Sequence, residues 1–342
     1  GAFGTAIGTA IMSKLDRGIT LGYIDDDDLL DFVASSTDNS TGTIIVASGD
    51  GAGGFIPEAQ FAFASPANIA LIDADGSGRP EILTTSFDTG TSTALWRWTL
   101  PAEADTGTSN GWAIATDAGD LSSIKAAAAW VGDFDGDADQ DVALLLRECF
   151  EDVAPYCLLP LRNTGGSFTA LAAVAVPHVS PYGNRFSRFS FPKVDGSTTD
   201  INGDNRPDIV LPGGAGEVAV LLADGSGSFR DVQVYAGTAG WEPALANGWD
   251  NTEDEYRNAS WPGQWGASYQ TKAVVAADVT GDGLIDLIAA TGSGNSSLGG
   301  APGQLAVVAG LGDGSFAAAT AQAVSDTWRQ PEFRRDWITT AR

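Results

Sequence analysis

Residues 133–141 read DFDGDADQD, five aspartates in nine positions, and the chain repeats the arrangement. DADGSGRPEI covers 73–82, DFDGDADQDV 133–142, DINGDNRPDI 200–209 and DVTGDGLIDL 278–287. An incomplete copy, YIDDDDLLDF, covers 23–32 and has Tyr23 where the others begin with Asp. Positions one, three, five and nine are mostly Asp, Asn, Ser or Thr, and position nine is always acidic. Such a repeat constrains the fold strongly, because each copy marks one supersecondary unit that stacks on its neighbours.

A second element follows each copy, a turn of small residues ending in an aromatic. It reads GAGGF (51–55), SNGW (109–112), TGGSF (164–168), DGSGSF (224–229) and GDGSF (312–316), and GAF at 1–3 resembles a sixth instance. Between these elements lie short runs such as TIIVAS, PEILTTS, DVALLL, DIVLP, EVAVLL and QLAVVAG. They are rich in Val, Ile, Leu and Thr and are bounded by Gly, Asp or Ser, which predicts strands. No amphipathic helix of convincing length is visible. One unit therefore reads strand a, aspartate loop, strand b, strand c, glycine turn, strand d. Repeated radially, this four-stranded antiparallel unit is the blade of a β-propeller.

The expected fold is all-β, a single propeller domain over 1–342 with five recognisable blades and a partial sixth. The blades fall near 12–65, 66–120, 121–178, 179–240 and 241–326, and residues 1–11 and 327–342 remain as closing or intermolecular strands. The chain begins with Gly rather than Met, which reads as a processed chain or a piece of a longer one.

Alternate acidic positions in a tight loop direct several oxygens at one point, and Ca²⁺ takes six to eight hard oxygen ligands. The cation would offset the repulsion of carboxylates that otherwise resist crowding. In the opening copy the ligand set is Asp133, Asp135, Asp137 and Asp141 with the carbonyl of Asp139. The others are Asp200, Asn202, Asp204 and Asp208 with the carbonyl of Arg206, and Asp278, Thr280, Asp282 and Asp286 with that of Leu284. Asp73, Asp75, Ser77 and Glu81 with the carbonyl of Arg79 make a fourth; Asp25, Asp27 and Asp31 make a looser fifth. An EF-hand would need a bidentate Glu at position twelve and flanking helices. Position twelve is Thr84, Leu144, Leu211 or Ala289, and β-type runs follow, so that reading fails. The plain alternative is a set of Asp/Gly connectors that bind nothing.

The stretches DFDGDADQDVALLL, DINGDNRPDIVLPGG and DVTGDGLIDLIAATG, with the GDGSF turn, resemble the FG-GAP/VCBS repeat family of integrin-α-like propellers. The resemblance covers nearly the whole chain. It implies Ca²⁺ in the a–b loops and a role in adhesion, in lectin-type recognition or beside a secreted enzyme. The departures are Tyr23 and long insertions before the last two loops.

Charge and cysteine usage narrow the partners. Against 44 Asp+Glu stand only 18 Lys+Arg, a formal net charge of −26, so nothing here would neutralise nucleic-acid phosphates. No apolar stretch approaches the length that spans a bilayer. Cys149 and Cys157 flank a short polar loop between apolar runs, the layout of a disulfide clamping a hairpin end; two free thiols are the alternative. Sequons at Asn39, Asn258 and Asn295 add to an expectation of a secreted or cell-surface glycoprotein.

In a blade the a–b and c–d loops share one face, which leaves the insertions on the other. The insertion at 240–268 carries Trp241, Trp249, Tyr256, Trp261 and Trp265, candidates for a ligand face that stacks on sugars or anchors a protein partner. Packing of the insertion on the propeller is the competing explanation. His178 is the only histidine, so no Ser-His-Asp constellation or zinc cluster presents itself. The expectation is a calcium-stabilised adhesion or assembly subunit, of an extracellular filament or surface layer, acting through other protein chains. A carbohydrate-binding module and a polysaccharide lyase or hydrolase are the alternatives.

Overall fold

The computed structural model describes residues 18–25, 27–38, 41–62, 66–78, 80–86, 96–98, 109–111, 126–150, 154–176, 196–213, 217–236, 269–293 and 304–323. Arg79, His178, the sequons Asn39, Asn258 and Asn295, and the whole insertion with Trp241, Trp249, Tyr256, Trp261 and Trp265 lie outside them. So do the terminal segments 1–11 and 327–342 and the side chain of Cys149.

Every element among the described residues is a strand. The first sheet runs β1 (Gly18–Gly22), β2 (Asp31–Asp38), β3 (Thr41–Gly49) and β4 (Phe55–Ala62), antiparallel and in chain order. Next come two pairs, β5 (Pro66–Ile72) with β6 (Glu81–Ser86) and β7 (Trp96–Trp98) with β8 (Ser109–Gly111), and β6 lies against β7. The third group is β9 (Ala126–Gly132), β10 (Asp141–Phe150), β11 (Ala154–Thr164) and β12 (Ser167–Ala170), with the short β13 (Val174–Ala175) on the far half of β11. A fourth sheet follows as β14 (Ser197–Thr199), β15 (Asp208–Pro212), β16 (Glu217–Leu221) and β17 (Gln233–Ala236). The last is β18 (Tyr269–Ala277), β19 (Asp286–Ser293), β20 (Gln304–Val308) and β21 (Thr320–Ala323). Four sheets thus have the up-and-down, four-strand order of a propeller blade.

The aspartate loops join the first strand of a sheet to the second, and the glycine turns join the third to the fourth. One expected turn is instead a strand: Ser109, Asn110 and Gly111 pair with Trp98, Arg97 and Trp96. The other turns place two glycines at positive φ, Gly51 and Gly53, Gly165 and Gly166, Gly225 and Gly227, Gly312 and Gly314. In SNGW the Asn-Gly step is instead taken up by the ladder with Trp96–Trp98.

The chain divides into two compact units, Gly1–Val131 with Ala138–Leu146 and Leu161–Ala170, and Gly132–Asp137 with Arg147–Pro160 and Leu171–Arg342. In the first, Val33, Ile44 and Val46 of the first sheet, with Ile24 of its aspartate loop, pack on Ile69 and Ile82 of the β5–β6 pair. In the second, Val210, Val218, Val220 and Leu222 pack face to face on Val274, Leu287, Ala289 and Val308. The opposite faces of the same strands are also buried, at Ile209, Leu211, Ala219 and Leu221. This explains why DIVLP and EVAVL are continuous apolar runs rather than alternating ones, since both faces leave water. Each such Val, Leu or Ile side chain contributes on the order of 1.5–3 kcal/mol of transfer free energy.

The aromatic that ends each glycine turn is an anchor. Phe55 packs edge-on against Phe32, Phe229 against Phe134 at 4.9 Å between ring centres, and Phe316 against Tyr235 at 5.1 Å. Phe134 occupies position two of its aspartate loop and is fully buried. Cys157 on β11 is buried and disulfide-bonded.

Candidate metal centres

Three acidic clusters form among the described residues: Asp25, Asp27 and Asp31; Asp73, Asp75 and Glu81; Asp133, Asp135 and Asp141. In each, one carboxylate oxygen per residue lies within 4.8 Å of the others. They occupy positions one, three and nine of the loop, or three, five and nine in the first copy. The incomplete copy at 23–32 therefore gathers its carboxylates as closely as the fuller ones do. Asp137, Asp139 and Ser77 belong to the same loops but stand outside the clusters.

The loops at 200 and 278 gather fewer acids because Asn202 and Thr280 hold position three. In the former, the Arg206 guanidinium sits 2.6 Å from Asp204 Oδ2, so part of the positive charge that the loop needs comes from the protein. The Arg206 N–H also donates to Asp204 Oδ1 at 3.0 Å. Around Asp282 the oxygen Oδ1 accepts from the Leu284 N–H at 2.9 Å. The donors at both loops remain hard oxygens.

Position one shapes the turn. Asp133 Oδ1 accepts from the Gly136 and Asp137 N–H groups at 2.7 and 3.1 Å, Asp200 Oδ1 from Gly203 and Asp204, and Asp278 Oδ1 from Gly281. Asp73 accepts from Ser77 and Gly78. These Asx-type bonds give the four loops their curvature, which is what the Asp at position one supplies there.

Position nine does something the sequence reading missed. Asp31, Asp141, Asp208 and Asp286 are fully buried and Glu81 nearly so. One carboxylate oxygen accepts from the N–H of position two: Ile24 to Asp31 at 2.8 Å, Ala74 to Glu81 at 3.2 Å, Ile201 to Asp208 and Val279 to Asp286 at 2.9 Å. The other accepts from the N–H at the end of the third strand: Gly49 to Asp31, Asn163 to Asp141, Ala223 to Asp208 and Gly310 to Asp286, at 2.7–3.0 Å. The acid thus staples the aspartate loop to the glycine turn of the same sheet. Its constant acidity across all five copies is the signal that pointed to it.

The glycine turns carry their own Asx device. Asp50 accepts from Ala52 and Gly54, Asp224 from the Ser226 N–H and hydroxyl, and Asp313 from the Ser315 N–H and hydroxyl. Those donors hold all three carboxyls below their ordinary value, with burial opposing them at Asp224.

At Asp135, Asp27 and Asp208 of the aspartate loops the balance tips the other way. Burial pushes Asp135 up, and Asp137 and Asp133 add to it. At Asp27 the Leu29 N–H favours the charged form, yet desolvation together with Asp25 and Asp31 leaves the carboxyl above its usual value. Burial drives Asp208 up to about 6, against the N–H groups of Ile201 and Ala223 and with repulsion from Asp204 and Asp200. At the same position in the last sheet, burial also opposes charge, but amides from Gly310, Val279 and Thr280 hold Asp286 down. Crowded oxygens, with no nitrogen or sulfur among them, are a donor set suited to a hard cation such as Ca²⁺.

Asp208 gives a pH test. Its folded value exceeds the unfolded one near 3.8, so the stability it lends by taking up a proton is full below that value. That contribution is lost as pH rises through about 6. In metal-free protein, urea unfolding between pH 4 and 6 is expected to show a downward slope with pH that flattens in Asp208→Asn. An unchanged slope would locate the titration elsewhere.

No known family matches the chain, and no curated protein sequence does. Among solved structures it is similar to the V. cholerae biofilm matrix protein Bap1, at 18% identity over 63% of this chain and 28% of that one, with a TM-score of 0.31. It is also similar to BBS1N, solved in complex with ARL6DN and soaked with lead, at 11% identity over 90% of this chain and 82% of that one, with a TM-score of 0.40. The chain thus spans little more than a quarter of the first of these proteins.

Proposed function

We propose that the chain is a calcium-stabilised β-propeller that serves adhesion or extracellular assembly rather than catalysis. The observation that carries this reading is the set of three carboxylate clusters at equivalent loops of successive repeat units. Asp25, Asp27 and Asp31, Asp73, Asp75 and Glu81, and Asp133, Asp135 and Asp141 would hold the ions. The mixed oxygens of the 200 and 278 loops are candidates for weaker sites. A bound cation supplies positive charge that lets these carboxylates stay ionised while crowded. The protein's part is to fix the loops through the position-nine staples.

In this reading β5–β8 make a fifth blade, since they occupy the interval of one repeat and β6 lies against β7. The repeats support membership of the FG-GAP/VCBS type, and a disulfide-bonded Cys157 supports an oxidising, extracellular setting. Acids spent on turns and staples are not available as catalysts, which favours a scaffold over an enzyme. Negative-stain imaging of the native particle in Ca²⁺ is expected to show oligomers or filaments that dissolve in chelator. Monomers that bind a glycan array, or that cleave a polysaccharide, would overturn assembly in favour of a lectin or an enzyme.

A further inference from the structure

We propose that the loops at 73–81 and 133–141 are coupled through Asn163 and Gln140, so that a divalent cation in one raises the affinity of the other. The inference rests on the reading of both loops as cation sites. Asn163 ends the long central stretch of β11 and is fully buried. Its N–H donates to Asp141 Oδ1 at 2.7 Å, the staple of its own sheet. Its side chain then reaches the neighbouring loop, with Nδ2 donating to the Ala74 carbonyl at 2.8 Å and to the Gln140 carbonyl at 3.0 Å. Oδ1 accepts from the Gly166 N–H at 3.0 Å, so both donors and the acceptor of the amide are used and its orientation is fixed.

A second strut lies beside the first. Gln140 Oε1 accepts from the Asp73 N–H at 2.7 Å. Ala74 stands between the cluster residues Asp73 and Asp75, and its own N–H is held by Glu81. Gln140 is covalently next to Asp141. Each cluster therefore has members one hydrogen bond or one peptide bond away from the same two amide side chains.

The other sheets show that this link is particular to its place. The residue whose N–H meets the position-nine acid is Gly49 in the first, Ala223 in the fourth and Gly310 in the last. None of these has a side chain that could reach another loop. Asn163 alone among these four equivalents adds an inter-loop arm.

Coupling follows from where the ordering cost falls. A loop of mutually repelling carboxylates takes up its ligating arrangement when a cation neutralises it. Through Asn163 and Gln140 that arrangement also sets Ala74, Asp73 and Glu81 of the neighbour, so the second ion meets a loop already ordered. Thermodynamic linkage requires the effect to be equal in both directions, and couplings of this kind usually run from about 5- to 150-fold.

The test is Ca²⁺ titration by calorimetry on the full chain, with Asp135→Asn disabling one loop and Asp75→Asn assigning the other. In the otherwise native chain, Asp135→Asn is expected to weaken binding at the 73–81 loop about tenfold, with the reciprocal loss for Asp75→Asn. In an Asn163→Gly background, which restores the residue found in the first and last sheets, that factor is expected to fall below about twofold. Gln140→Ala, at a half-buried position, is the second variant should Asn163→Gly not fold. An undiminished factor in both backgrounds, or independent sites in the native chain, overturns the coupling. A flat isotherm in the native chain overturns the cation reading itself and the coupling with it.

Discussion

Excess chelator is expected to lower the melting temperature by about 10–20 °C, and added Ca²⁺ to restore it. The size follows from mass action: a ligand that binds only the folded chain at a hundred times its Kd stabilises by about 2.7 kcal/mol per site. Three clusters each filled to that extent give on the order of 8 kcal/mol, and a chain of this size shifts by about 2 °C per kcal/mol. The three triads are the physical basis, because their carboxylates repel one another when no cation is present. The loss is expected to be partial, since the apolar cores beneath the loops do not depend on the ion. Differential scanning fluorimetry in Ca²⁺, Mg²⁺ and chelator is the measurement. Mg²⁺ should protect less, because it demands a tighter octahedral shell than these open loops provide. Superimposable curves in Ca²⁺ and chelator would sink the calcium reading.

The second large effect concerns the staple and does not need the metal. Asp286→Ala removes the acceptor of three amides, Val279 and Thr280 at 2.9 Å on one oxygen and Gly310 at 2.9 Å on the other. Leaving buried amides unsatisfied costs about 1–3 kcal/mol each, partly relieved by water at the loop surface, so a net loss of about 3–4 kcal/mol is expected. Relaxation by backbone movement is restricted on one side. A Cβ on Gly310 would come within 2.1 Å of the Ile285 carbonyl oxygen, so the turn and the loop already touch. Asp286→Asn keeps one acceptor oxygen and should cost roughly half as much. Urea unfolding in chelator is the decisive comparison. A penalty that vanishes without Ca²⁺ would mean that Asp286 acts as a ligand and not as a staple.

Several features were legible in the residues because they follow from local chemistry. An Asp at position one followed by Gly is an Asx turn, and Asp133, Asp200 and Asp278 each make one. Paired glycines before an aromatic mark the c–d turns, and Phe168, Phe229 and Phe316 at their ends are buried. The turn expected at SNGW failed because pairing with Trp96–Trp98 claims the same residues. What spacing alone did not reveal was the double duty of position nine. A nine-residue motif looks self-contained, but its last acid is bonded to an amide 15–24 residues onward, from Ala223 on Asp208 to Gly310 on Asp286.

The sequence by itself determined the repeat, the strand–loop–strand–strand–turn–strand order of each unit, and the oxygen-rich chemistry of the loops. All of these rest on interactions within about ten residues, where side-chain type and backbone preference suffice. Only the tertiary structure decided which loops close three carboxylates together and which, as at Asp204 and Arg206, answer their charge with an arginine. It alone brought Asn163 to Ala74 across 89 positions of chain, because that contact depends on how one sheet stacks on the next.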